Sequence, residues 1–211
     1  MGQKVNPNAL RLGITHTWDS RWFSEDKAYY RKTLIQDVKL RKMLYKEMAN
    51  AGIARVEIER SIRQVKITLH VSRPGVAIGR GGEELNKTKK KIEEFFEKEG
   101  EKIKIDVQIE SIKKPDLESR LVAQMIVDQI MRRMHQKRVV NQAMQRVMNA
   151  GAKGVKIMLS GRIGGAEIGR VEKYAMGSVP LTTMREDIQF AQMPALTKSG
   201  YVGIKVWICR K

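Results

Sequence analysis

Backbone stripped of side chains beside an arginine is the first chemistry this chain offers. In Arg73-Pro74-Gly75-Val76-Ala77-Ile78-Gly79-Arg80-Gly81-Gly82, the run Gly79, Arg80, Gly81, Gly82 stops where a helix can begin, at Glu83. A side chain at Gly79 or Gly82 would restrict the backbone and hold off an approaching phosphodiester. Bare backbone lets N–H groups reach phosphate oxygens. A helix start adds free N–H groups and a partial positive charge, and Arg80 can add a charge-assisted contact. Glu83 and Glu84 oppose this by placing negative charge where phosphate would sit, although acids also stabilise a helix start.

A second stretch is defined by what it lacks. From Gln129 to Ala166 there is no Asp or Glu, yet the stretch holds Arg132, Arg133, Lys137, Arg138, Arg146, Lys153, Lys156 and Arg162. A basic run is usually a solvated face. Here no acid inside the stretch can neutralise it, so the local field should be positive. Arg132, Arg133 and Lys137 fall on adjacent helical turns, where their repulsion destabilises the helix unless an anion relieves it. Phosphate contact is therefore expected for this cluster. A third stretch runs Ser160-Gly161-Arg162-Ile163-Gly164-Gly165-Ala166-Glu167-Ile168-Gly169-Arg170. Its glycines suit either a phosphate cradle or a tight bend between strands. It is no dinucleotide fingerprint, because no helix obviously comes after it, and Gly151-Ala152-Lys153-Gly154 lacks the ending of a P-loop.

Catalytic chemistry finds little support. His16, His70 and His135 are far apart and show no metal-ligand spacing, so no metal or cofactor is implied. Cys209 lies in an alternating apolar pattern that suits a strand better than a nucleophile. Glu186 and Asp187 read as solvated or capping groups. The chain is expected not to be an enzyme.

The 211 residues are enough for one large or two small domains,. Lys plus Arg is 41 against 23 for Asp plus Glu, a net +18, which favours a polyanionic partner,. Charge alone would equally suit an acidic membrane surface. No run of eighteen apolar residues and no secretory leader is evident,. Asn6 occupies the place where a myristoylation signal needs Ser or Thr,. One cysteine excludes an internal disulfide and suits a reducing cytoplasm.

Periodicity predicts the elements that must position these groups. Residues 1–16, with Lys4 and Arg11, show no sustained pattern and read as an extended basic arm ordered against a partner. The aromatic residues of 17–33 predict a short helix packed onto the next domain. Apolar spacing over 34–48 predicts a helix ended near Asn50-Ala51-Gly52. Val56 and Ile58, then Val65, Ile67, Leu69 and Val71, alternate with polar residues as two strands. Pro74 starts a short turn, 83–97 reads as a helix, and 103–109 as a third strand. In this helix–strand–strand–turn–helix–strand frame, a Gly-x-x-Gly link is how a KH domain holds single-stranded nucleic acid. Val71, Val76 and Ile78 would then face bases. Lys113-Lys114-Pro115-Asp116 is the best boundary. Beyond it, Leu117, Leu121, Val122, Met125, Ile126, Ile130 and Met134 form one helical face. A helix over 139–148 and strands at 155–159, 167–175 and 201–209 complete the pattern. The fold class is α+β: a basic arm over 1–16, a KH domain over 17–111, and a two-layer α/β domain over 112–211.

Six motifs, in order, then resemble one family. They are Gly2-Gln3-Lys4-Val5-Asn6-Pro7 with Arg11-Leu12-Gly13; the Arg73 to Gly82 element; Gly151-Ala152-Lys153-Gly154; Ser160-Gly161-Arg162-Ile163-Gly164-Gly165-Ala166-Glu167; Val179-Pro180-Leu181; and Gly203-Ile204-Lys205-Val206-Trp207-Ile208. Together they are similar to the bacterial form of the third protein of the small ribosomal subunit. The resemblance implies a type II KH domain followed by an α/β domain, placed in the head of the small subunit. It implies ribosomal RNA and neighbouring head proteins as partners, with messenger RNA met where it enters the subunit. In the family two basic pairs, two residues apart, face the incoming message and are linked to melting it. Lys137-Arg138 matches the first pair, whereas Asn141-Gln142 stands uncharged in place of the second. The glycine link often has two basic middle residues in the family; here Gly81 is not basic. The RNA-binding residues expected are Gly79, Arg80, Gly81, Gly82, Lys4, Arg11, Arg132, Arg133, Lys137, Arg138, Lys153, Lys156 and Arg162. A free-standing KH regulator of messenger RNAs is the alternative.

Overall fold

The computed structural model describes residues 4–61, 64–98 and 103–210. The chain divides into two compact units, one of Trp18–Lys113 and one that joins the N-terminal segment through Thr17 to the chain from Lys114 onward. The N-terminal segment thus groups with the second half of the chain rather than standing apart.

In the Trp18–Lys113 unit, the short strand β1 (Ser20–Arg21) precedes the long helix α2 (Lys27–Glu47), numbered after the N-terminal helix α1 (Pro7–Leu10) of the other unit. Asp26 caps α2 by accepting a hydrogen bond from the Ala28 N–H,. A 3-10 turn, Ala49–Ala51, and Gly52 at φ 67° reverse the chain into β2 (Ile53–Arg60),. β3 (Gln64–Val71) pairs antiparallel with β2. Then come α3 (Pro74–Ile78), a 3-10 turn at Arg80–Gly82, α4 (Glu83–Lys98) and β4 (Lys104–Ser111), which runs parallel to β3. The sheet order is β1-β2-β3-β4. As the alternation predicts, Val65, Ile67, Leu69 and Val71 turn inward, and Leu40, Leu44, Ile92 and Phe96 cover them. The opposite face of the sheet carries polar residues.

The predicted short helix over 17–33 does not form as such. β1 pairs parallel with β2 there, and helix begins only at the Asp26 cap. A buried ionic hub accounts for this. Asp37, fully buried, accepts hydrogen bonds from Arg60 Nε at 2.9 Å, Arg60 Nη2 at 2.6 Å and Trp22 Nε1 at 2.8 Å. Trp22 also packs on Tyr30 with ring centroids 5.1 Å apart. The Arg60 guanidinium lies over Phe96, 5.3 Å from the ring centre. Trp18 and Phe23, by contrast, stay exposed.

The second unit has two layers. β5 (Gly154–Gly161), β6 (Arg170–Gly177), β7 (Ile188–Thr197) and β8 (Gly200–Cys209) form an antiparallel sheet ordered β6-β5-β8-β7. α5 (Ser119–Met131) packs on β7 and β8, and α6 (Gln136–Asn149) on β5 and β6. Ile126, Val140, Val147, Ile157, Leu159, Ile204, Val206 and Ile208 form the core between the layers.

β7 is an element the alternation did not announce, because Pro194 interrupts it. It is an edge strand, where a missing N–H is tolerated, and Pro194 pairs opposite Gly203,. Its outer edge is covered by the N-terminal segment. The Asn8 side chain bonds the Phe190 main chain in both directions, at 3.1 and 2.9 Å. The segment is therefore no extended arm: Asn6 caps α1 through the Asn8 N–H, and the next residues dock on the sheet. Gly2 and Gln3 lie outside the described residues. The α5 periodicity also overruns. Its apolar face predicts helix to Met134, but the helix ends at Met131 in a left-handed turn.

The Asp37 hub gives a direct test. Asp37→Ala takes the carboxylate away from a nearly buried Arg60 and should cost about 3–5 kcal/mol of unfolding free energy,. Glu59→Ala removes only an exposed partner of Arg21 and should cost under about 1 kcal/mol,. Urea denaturation of the two variants measures the contrast.

Candidate nucleic-acid interface

The glycine link closes α3 and opens α4. Gly79, Gly81 and Gly82 all have positive φ, at 75°, 61° and 83°. Their needs differ. A Cβ on Gly79 would sit 2.9 Å from Glu84 Cγ and 3.0 Å from the Glu84 nitrogen, so glycine is required there by the protein's own packing. Gly81 and Gly82 face open space, which leaves bare backbone accessible beside the exposed Arg80. The acids at the start of α4 are partly answered. Lys87 Nζ donates to Glu84 at 3.0 Å, and that hydrogen bond with its charge attraction holds the Lys87 ammonium above its ordinary pKa. Val76 and Ile78 are exposed next to the link, as expected of a base-facing edge. Val71 is not: it is fully buried in the sheet core.

The α5–α6 turn gathers the acid-free cations. α5 closes as the Arg133 N–H bonds the Ile130 carbonyl at 2.9 Å and the Met134 N–H bonds Gln129 at 3.1 Å,. This closure wants a left-handed residue, usually glycine, and Arg133 supplies it at φ 60°,. α6 then starts at His135 with no side-chain cap and no acid in its first turn. Arg132, Arg133, Lys137 and Arg138 are all exposed there, and among the described residues no carboxylate lies within ion-pair distance of them. Asn141, one turn further, is exposed and Gln142 half-buried. Four cations without an ion pair around an uncapped helix start give this end of the unit a positive potential of the kind that attracts anions.

The other expected cations are placed differently. Arg11 is a correction. It is fully buried, and its guanidinium donates to the carbonyls of Pro7 at 3.1 Å, Leu181 at 3.2 Å, Thr183 at 2.8 Å and Glu186 at 2.7 Å. It pins the 180–186 segment to α1 and is closed to RNA. Lys153 is bonded to Glu186, an acid from outside the acid-free stretch. That hydrogen bond raises the Lys153 pKa and lowers that of Glu186. Arg162 donates to the Ala166 carbonyl at 2.8 Å and shapes its own turn, while remaining exposed. Lys156 is half-buried, its ammonium 5.5 Å from the Trp207 ring. Lys4 is exposed. The glycines of 161–165 make a bend: a Cβ on Gly161 would lie 2.7 Å from the Tyr201 carbonyl oxygen.

His16, His70 and Cys209 have structural partners. His16 lies 3.2 Å from the Ile188 carbonyl and 3.5 Å from Asp187. His70 stands between Glu57 at 3.2 Å and Glu110 at 3.4 Å on the outer face of the first sheet. Cys209 is buried, and burial raises its thiol pKa. Among the described residues no group of three His, Cys, Asp or Glu could hold a metal ion, and no helix is long and apolar enough to cross a membrane.

The sequence missed Lys198, on the hairpin between β7 and β8, which faces the same cleft as Arg133 and His135. The Lys198-Ser199-Gly200 turn signal could have revealed it, had the preceding strand been legible.

A mixed sheet whose covering helices are joined by a Gly-x-x-Gly link, in a chain that also carries a second cationic unit, defines an RNA-binding protein of the KH class. Residues 39–117 match the family model described as KH domain, and residues 126–208 match that of Ribosomal protein S3, C-terminal domain. The chain is 45% identical over 208 residues to small ribosomal subunit protein uS3 of Carboxydothermus hydrogenoformans, covering 99% of this chain and 91% of the relative. It is 47% identical to that of Salinibacter ruber over 210 residues, 100% of this chain and 86% of the relative. For that of Clostridioides difficile the figures are 46% over 209 residues, 99% and 75%. The chain belongs to the small ribosomal subunit protein uS3 family. The family is structural rather than enzymatic, and its place is the cytoplasmic ribosome.

Two kinds of cation should respond oppositely to deletion. Arg11→Ala removes the shared donor of the Pro7, Leu181, Thr183 and Glu186 carbonyls and should lower the unfolding free energy by at least about 2 kcal/mol,. Lys137→Ala relieves repulsion among unpaired charges, so stability should hold or rise by a few tenths of a kcal/mol at low salt. Chemical denaturation at two ionic strengths reads both.

Proposed function

We propose that this protein is a structural constituent of the small ribosomal subunit that binds ribosomal RNA in the head and lines the channel where messenger RNA enters. Full-length similarity to proteins named small ribosomal subunit protein uS3 supports the setting. The observation that carries the reading is the quartet Arg132, Arg133, Lys137 and Arg138, exposed around the start of α6 with no carboxylate among the described residues to answer it. Folding alone gives no reason to hold four like charges together; a polyanion does.

The two units divide the work. In the KH domain, residues 17–111, the bare backbone at Gly81 and Gly82 with Arg80 takes RNA phosphates, and Val76 and Ile78 offer apolar surface to bases. In the C-terminal domain, residues 112–211, the quartet meets the message. Lys137 and Arg138 grip a single strand through its backbone, which suits a message of any sequence. Asn141 and Gln142 add no charge, so the grip beyond the first turn of α6 rests on hydrogen bonding. Lys4, Lys156 and Arg162 add positive potential toward ribosomal RNA. The partners are thus small-subunit ribosomal RNA, messenger RNA and neighbouring proteins of the head.

Lys137→Ala with Arg138→Ala should leave the protein co-sedimenting with small subunits while translation through a stable hairpin near the start falls several-fold. Unstructured messages should be translated at the parental rate. Equal translation of both messages by the double variant would refute the role at the message. Loss of co-sedimentation would place these residues in assembly instead.

A further inference from the structure

A cleft of about 620 Å³ opens at one end of the C-terminal unit. It lies where the α5–α6 turn, the 3-10 turn Ile163–Gly165 and the β7–β8 hairpin converge. Its floor is apolar, from Leu159, Ile163 and Val202. Met131, Met134 and Leu196 also line it, exposed at 53%, 38% and 56%. Its rim is cationic, from Arg133, Arg162 and Lys198, with His135 beside them. Among the described residues no Asp or Glu lines it.

The backbone is arranged to build this shape. Gly164 and Gly165, at φ 67° and 85°, bring their turn against Gln136 and Ser199; a Cβ on Gly164 would stand 3.3 Å from the Gln136 amide nitrogen. Arg133 is the one non-glycine residue with positive φ among the described residues. Glycine would close α5 there at lower conformational cost. An arginine kept at that position places a cation on the cleft rim despite the local strain, a pattern common at functional sites. An apolar slot lined in part by polarisable methionines accepts a flat aromatic ring. A rim of cations with an uncapped helix start accepts the phosphate attached to that ring.

We propose that this cleft receives one unpaired base of a bound single-stranded RNA, with the adjoining phosphate held by Arg133, Lys198 and the first turn of α6. This rests on the RNA-binding reading above and extends it. The quartet alone would hold any polyanion. The cleft adds a preference for RNA whose bases are free to leave the stack.

Isotope-labelled methionine methyl groups in the full chain report the cleft directly, with Met131→Leu and Met134→Leu assigning the two signals. A short oligoadenylate should shift both signals upfield through the ring current of the inserted base. An abasic strand of equal length should bind while leaving both in place. Arg133→Gly should hold or raise the unfolding midpoint, because glycine suits that φ, yet need about tenfold more strand for the same shift. Unmoved Met131 and Met134 signals, while oligoadenylate demonstrably binds, would overturn the cleft and leave the phosphate surface standing. Saturation of the same shifts by free adenosine monophosphate at equal concentration would overturn the strand as the source. Failure of both strands to bind would defeat the RNA-binding reading itself.

Discussion

Charge segregation is the constraint on which the rest of this structure depends. Carboxylates are concentrated where they neutralise cations of the scaffold. Glu57 gathers Arg21, Arg55 and His70 on the outer face of the first sheet. Asp37 holds Arg60 inside the same unit. Glu118 and Asp187 hold Arg210, and Glu186 holds Lys153, at the end of the second sheet. None of these acids reaches the α5–α6 turn. A protein of net +18 could have scattered its excess charge evenly. This one pairs much of its scaffold and leaves a patch of like charges on a helix start, whose partial charge has the same sign.

Leaving cations unpaired costs little in water and gains much against a polyanion. Exposed ion pairs contribute at most about 1 kcal/mol, so forgoing them at the α5–α6 turn is cheap for folding. Each cation free to meet a phosphate instead releases a condensed counterion. Buried charge obeys the opposite rule. Arg11 and Arg60 are closed to solvent and must be satisfied completely, one by carbonyls and the other chiefly by Asp37,. The same residue type therefore serves as a structural rivet where it is buried, and where it is exposed it carries the proposed grip on RNA.

Much of the fold was legible because period and punctuation agreed. The alternation of Val65, Ile67, Leu69 and Val71 names its strand and its buried face, and Pro74 and Asn50-Ala51-Gly52 mark helix boundaries the structure keeps. What escaped depends on partners distant in sequence. β7 hides behind Pro194 because its pairing with β8 and its cover by Asn8 supply what local pattern lacks. Arg11 looked like a free cation because nothing local says that the carbonyls of Thr183 and Glu186 fold over it. The end of α5 at Met131 was obscured because a left-handed closure normally announces itself with glycine, and here carries arginine. Among the candidate site residues, the missing acids marked the stretch that holds the exposed quartet, but not which of its cations stay unpaired. The pairing of Lys153 could not, since Glu186 lies 33 positions away.

Asn141 stands on the exposed face of α6, one turn beyond Lys137, and offers a position from which the patch can be interrogated in place. A photo-crosslinking residue installed there in assembled small subunits reports directly what the cationic surface touches. RNA should be the principal crosslinked product. Crosslinks confined to protein, with RNA absent from the products, would contradict it.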